Sequence, residues 1–86
     1  MHLLLIEDDD ATRQALSSLL EAAGATLTAL PSGEKAVETF AHERPDLIVS
    51  DIGLPGEDGF SILRRIRTFE EKNGLPPTSA IALTAF

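Results

Sequence analysis

The sequence predicts an α/β protein, with a parallel sheet covered by helices on both faces. Two continuous apolar runs, Leu3-Leu4-Leu5-Ile6 and Leu47-Ile48-Val49, each lead to an acid at the strand's end. Between the strand candidates lie segments whose apolar residues recur at helical spacing, and the loops are short and rich in Gly, Pro and Ser. Short runs without polar residues are the pattern of strands buried on both faces. Strands that alternate with helices imply right-handed crossovers and hence parallel pairing.

Leu3 to Ile6 makes the first strand, and the acidic run Glu7-Asp8-Asp9-Asp10 stops it. Asp9 or Asp10 can cap a helix in which Ala11, Ala15, Leu16, Leu19, Leu20 and Ala23 form one stripe, with Gly24 placed as a left-handed C-cap. Thr26 to Leu30 alternates polar and apolar, as a half-covered strand nearer the sheet edge does. Ser32 can cap a second helix bearing Ala36, Val37 and Phe40, which ends before Pro45. Asp46 to Asp51 is the third strand. Asp58 can cap a third helix, whose expected inward face is Phe60, Leu63, Ile66 and Phe69 and which closes at Asn73-Gly74. Pro76-Pro77 then leads into a fourth strand from Ser79 to Thr84.

The totals bound the function. With 86 residues the chain is one small domain, of a size that buries about 60–65% of its unfolded surface. An apolar fraction of 43% suits a globular protein, and the lack of cysteine excludes disulfides and thiolate metal sites. Fourteen acidic against seven basic residues give a net charge of −7. Direct nucleic-acid binding and membrane-surface binding are therefore not expected, since both rely on excess Lys and Arg. The opening Met1-His2-Leu3-Leu4-Leu5-Ile6 lacks a basic leader and is too short for a signal peptide. No segment approaches the roughly 18 apolar residues of a membrane span. A cytoplasmic protein with no membrane insertion is expected.

In such sheets the ligand crevice lies outside the carboxyl ends of the strands, where the strand order reverses. Glu7 and Asp8, Asp51 and Thr84 stand at those ends, on three different strands. Asp51 is followed by Gly53, Pro55, Gly56 and Gly59. A turn-forming aspartate explains the glycines alone; it does not explain two more acids at a matching strand end. Carboxylates placed together repel unless a cation is present. Oxygen ligands without nearby His or Cys favour Mg²⁺ or Mn²⁺. Backbone N–H groups of a Gly-rich loop and a threonine hydroxyl suit phosphate oxygens. This donor set points to phosphoryl transfer onto an aspartate.

The segments LLLIEDDDATRQAL, PDLIVSDIGLPGEDGFSILRRIR and PPTSAIALTA, in this order and spacing, resemble the receiver domain of two-component response regulators. The resemblance implies a flavodoxin-like, three-layer α/β/α fold, with order 2-1-3-4 for the strands present. It implies Asp51 as phosphoacceptor, and Glu7, Asp8, Asp51 and the Gly53 carbonyl around Mg²⁺. It also implies Thr84 as the hydroxyl that contacts the phosphoryl group and Ala85 as the small residue that leaves the site open. The partner would be a histidine kinase or a phosphotransfer protein, and the domain would be a phosphoacceptor that assists its own phosphorylation rather than an enzyme. DIGLPGEDGF with AIALTAF looks most like receivers attached to hybrid histidine kinases.

One departure stands out. A receiver of this family continues with a fourth helix, a fifth strand ending in a lysine, and a fifth helix. The catalytic lysine has no counterpart here, since Lys35 and Lys72 lie on other elements. Residues 1–86 are thus expected to be a single, C-terminally incomplete receiver. The fourth strand is then open to self-association or strand complementation, and parts of Ile81, Leu83 and the Leu16–Leu20 stripe are left uncovered. An alternative is a haloacid-dehalogenase-like phosphatase, because Asp8-Asp9-Asp10-Ala11-Thr12 fits DxDxT. Asp8 would be its nucleophile, Asp10 its general acid and Thr84 its second hydroxyl, with Asp51 unexplained. A receiver-like interaction module that never takes phosphate is the third possibility. His2 and His42 are assigned to the surface, and Arg64, Arg65 and Arg67 to the wet face of the third helix.

Overall fold

The computed structural model describes residues 1–51 and 59–83. In chain order they form β1 (His2–Ile6), α1 (Asp10–Ala22), β2 (Thr26–Leu30), α2 (Ala36–Glu43), β3 (Leu47–Asp51), α3 (Gly59–Lys72) and β4 (Ser79–Leu83). The sheet runs β2-β1-β3-β4 with every neighbouring pair parallel, the order expected. The two continuous apolar runs occupy the centre, where Leu5 pairs with Ala29 on one side and Val49 on the other.

Right-handed crossovers decide the layers. The chain moves one way across the sheet through α1 and the other way through α2 and α3, so α1 lies on one face and α2 and α3 on the other. Side chains alternate along each strand. Leu4, Ile6 and Ile48 accordingly join Ala36, Phe40, Ile62 and Ile66 in one core under α2 and α3. Phe40 also meets Phe69 edge to face, with ring centroids 6.0 Å apart. Leu3, Leu5 and Val49 are buried on the opposite face.

Helix ends follow the sequence in part. The Asp9 carboxylate caps α1 by accepting from the Thr12 N–H at 2.8 Å. Gly24 and Gly74, with φ of 98° and 64°, take the left-handed turn after α1 and α3. Ser32 does not cap α2. Its hydroxyl lies 3.4 Å from the Glu34 N–H, and the helix begins after Lys35 without a side-chain cap. Asp58, the expected cap of α3, lies outside the described residues.

The inward face of α3 is also rotated from expectation. Gly59, Ile62, Ile66 and Glu70 are its buried residues, Leu63 and Phe69 flank them, and Phe60 is 57% exposed. Both 60-63-66 and 59-62-66-70 are helical stripes, so periodicity alone cannot choose between them. Contact with α2 and β3 selects the second. On the other face α1 has no buried residue, and Leu19 is 68% exposed. At the edge, β4 is exposed from Ser79 to Ala82.

Candidate functional site

Register builds the site. Ile6 pairs with Ser50, which sets Glu7 level with Asp51 on the neighbouring strand. The Glu7 N–H continues the ladder to the Leu30 carbonyl at 3.0 Å, holding its backbone in line with the strand. By the alternation of β-strands, Glu7 and Asp51 leave the sheet on the same side as Leu5 and Val49. Both acids are buried, at 5% and 8% exposure. Asp8 is exposed at the turn. Each of the three acids offers a carboxylate oxygen, and these oxygens lie within 4.8 Å of one another.

Such an arrangement is costly without a counter-charge. Burial raises the Glu7 carboxyl above the usual carboxylate range; the Asp9 N–H opposes the shift, while Asp8 and Asp51 add to it. That N–H reaches Glu7 Oε2 at 3.1 Å. Three clustered carboxylates, two of them largely removed from water, form an all-oxygen donor set that fits a hard divalent cation.

The four consecutive acids divide their work. Glu7 and Asp8 face Asp51, whereas Asp9 turns back to cap α1, taking both the N–H and the hydroxyl of Thr12 at 2.8 and 2.7 Å. Those hydrogen bonds hold the Asp9 carboxyl below its usual value. Asp10 lies in the first turn of α1 and pairs with Arg13. The DxDxT reading needs Asp8 and Asp10 at one site, and here Asp10 is engaged elsewhere. Arg13 was not singled out from the sequence. Its Nη1 donates to the Glu7 carbonyl at 3.0 Å, tying α1 to the strand end that carries the acids. The signal was present, since Arg13 is the first cation after four acids and three residues beyond Asp10. The expected Gly53, Thr84 and Ala85 lie outside the described residues.

The comparisons with known proteins agree with this geometry. The family model of the response regulator receiver domain matches residues 3–86. The transcriptional regulatory protein CseB of Streptomyces coelicolor is 47% identical over 66 residues, covering 77% of this chain and 28% of CseB. The chain spans less than two thirds of the length of the curated relatives it matches. Among solved structures, the receiver domain of Saccharomyces cerevisiae Ssk1, crystallised with the histidine phosphotransfer protein Ypd1, superposes with a TM-score of 0.90 at 28% identity. That match covers 100% of this chain and 64% of that one. The response regulator TrrA of Thermotoga maritima, in complex with Mg²⁺ and BeF, gives a TM-score of 0.84 at 27% identity over 99% of this chain and 70% of its own. With a flavodoxin-like sheet in the order 2-1-3-4 and a family match over nearly its whole length, the chain belongs to the receiver domains of two-component response regulators.

Proposed function

We propose that residues 1–86 act as one phosphoacceptor unit in which Asp51 takes a phosphoryl group from a phosphohistidine. The observation that carries this reading is the meeting of Glu7, Asp8 and Asp51, with ligand atoms within 4.8 Å of one another at the ends of two paired strands. A carboxylate oxygen of Asp51 attacks phosphorus, the P–N bond of the donor breaks, and the imidazole nitrogen keeps the electron pair and takes up a proton. The product is an acyl phosphate. Glu7, Asp8, Asp51 and the Gly53 carbonyl would hold Mg²⁺, or Mn²⁺ in its place. The cation would supply positive charge against the phosphoryl oxygens. Burial of Asp51 limits the access of water to the carboxylate. Arg13 holds the β1–α1 turn, which orients the two acids that precede it. Thr84 would contact a phosphoryl oxygen, and Ala85 would leave room for it.

The donor is a histidine kinase or a phosphotransfer protein, by likeness to the Ssk1 receiver seen with Ypd1. A cytoplasmic setting fits a chain without cysteine in which no described helix is long and apolar enough to cross a membrane. The uncharged edge of β4 supports pairing with a further strand. The test is labelling with a phosphohistidine donor, or with a small phosphodonor and Mg²⁺, followed by mapping of the acid-labile phosphate. Label on Asp51, lost in Asp51→Asn, is expected. Label on Asp8 would return the phosphatase reading, and no label would leave an interaction module.

A further inference from the structure

The start of α1 holds an arginine turned toward the strand that carries the acids. Only 20% of the Arg13 side chain is exposed, against 84% for Asp10, its ion-pair partner. The two arms of its guanidinium go to different elements. Nη2 pairs with Asp10 in the same helix, and Nη1 donates to the Glu7 carbonyl at 3.0 Å. An ion pair between residues three apart on a helix surface accounts for the first arm. It gives no reason for the second, which returns six residues along the chain to the end of β1.

The second contact meets a need that the sheet creates. β2 ends at Leu30, which pairs with Ile6, and the Glu7 N–H takes the Leu30 carbonyl at 3.0 Å as a last rung. The Glu7 carbonyl lies one step farther on, and the backbone oxygen of a buried residue needs a donor. Arg13 supplies it. A peptide unit is planar, so a bond to the Glu7 carbonyl also restrains the Cα of Asp8. The peptide plane before Glu7 is thus held from Leu30, and the plane after it from Arg13. With both planes held, the direction of the Glu7 side chain is set, and so is the point from which the exposed Asp8 reaches toward Glu7 and Asp51.

We propose that Arg13 is a positioning residue for cation binding at the phosphoryl-transfer site, acting through the Glu7 carbonyl on the way Glu7 and Asp8 present their carboxylates. The inference rests on the reading of Glu7, Asp8 and Asp51 as that site. Its means is geometry rather than charge, because the guanidinium charge is met by Asp10, outside the cluster. Asp10 anchors one arm so that the other stays on Glu7. An asparagine at position 10 would still offer that arm an oxygen, so the negative charge of Asp10 is not what the site needs.

The test uses the 86-residue chain, first without a cation and then with Mg²⁺ alone. In Arg13→Ala the carbonyl carbon resonance of Glu7 and the amide resonances of Asp8 should shift before any cation is added. Calorimetric titration should then show Mg²⁺ affinity about tenfold lower, as when a group that supports a metal ligand is removed. Arg13→Lys keeps the charge and the stem but offers a single point of donation in place of a fork, and it should show most of the same loss. Circular dichroism confirms that both variants fold. Ile66→Val loosens the core under α2 and α3, away from the acids, and should leave the affinity within about twofold. Asp8→Asn checks the underlying reading: unchanged affinity there would remove the cation site, and the proposal with it. With Asp8→Asn weakened, three results would each overturn the role of Arg13 alone. They are native affinity in Arg13→Ala, native affinity in Arg13→Lys, and a loss in Ile66→Val equal to that in Arg13→Ala.

Discussion

Glu70 Oε2 accepts the Thr78 backbone N–H at 2.6 Å, and its Oε1 accepts from Arg67 at 2.8 Å. A buried carboxylate in the last turns of α3 therefore pins the start of β4, across a loop that contains Pro76 and Pro77. Burial pushes the Glu70 carboxyl up, but the hydrogen bonds from Arg67 and Thr78 outweigh it and hold the carboxyl below its usual 4.5. The ionised form is thus favoured by folding. Its stabilisation is fully present above about pH 4.5, the unfolded value, and is lost as pH falls through the lower folded value. Glu70→Gln should cost about 1–3 kcal/mol at pH 7, because it removes the charge of a buried acceptor that holds a partly buried N–H. The penalty should shrink toward pH 3. Urea unfolding of both proteins across that range measures it, and a penalty independent of pH would show that the charge on Glu70 does no work.

Asp8 and Asp10 are two residues apart and should behave differently toward a cation. Asp8→Asn should weaken Mg²⁺ binding by about tenfold or more, since it removes charge from the cluster. Asp10→Asn should leave the affinity within about threefold, because that carboxylate is paired with Arg13 on the helix surface. Isothermal titration with Mg²⁺ separates the two. Removal of the cation with a chelator should abolish phosphoryl uptake by Asp51 in the native protein.

The rotation of α3 gives a packing test. Ile66 is fully buried, so Ile66→Ala should cost about 2–5 kcal/mol. Phe60 has the larger side chain but lies mostly in water, and Phe60→Ala should cost less than about 1 kcal/mol. Thermal or urea denaturation of the two variants decides whether 59-62-66-70 or 60-63-66 is the inward stripe.

The 86-residue chain should self-associate through β4. This strand is the outer one of the described sheet, carries no charge, and leaves Ile81 51% exposed. Open apolar edges pair with other chains, and a lysine on the edge opposes it. Size-exclusion chromatography should show a concentration-dependent shift to larger species that Ile81→Lys suppresses. A monomer at every concentration would remove the edge as the cause.

Much of the architecture was legible because its causes are local. A run such as Leu3 to Ile6 cannot be soaked in water on either face, so it lies at the centre of the sheet. Helical spacing and a glycine at the end placed α1 and its stop without any tertiary contact. The family resemblance added the strand order, and with it the meeting of Glu7, Asp8 and Asp51.

Four adjacent acids look alike in one dimension, and only the third distinguishes them. Sequence determined that acids would gather at the mouths of β1 and β3, because strand alternation and parallel crossovers leave those positions at one rim. Tertiary structure decided that Asp9 caps α1, that Asp10 pairs with Arg13, and that Glu7 becomes the buried member beside Asp51. It likewise chose which of two overlapping stripes α3 buries, and it gave Glu70 a partner eight residues away. Pattern along the chain sets which face can be apolar; which polar group is satisfied, and by whom, depends on distances that exist only once the elements have packed.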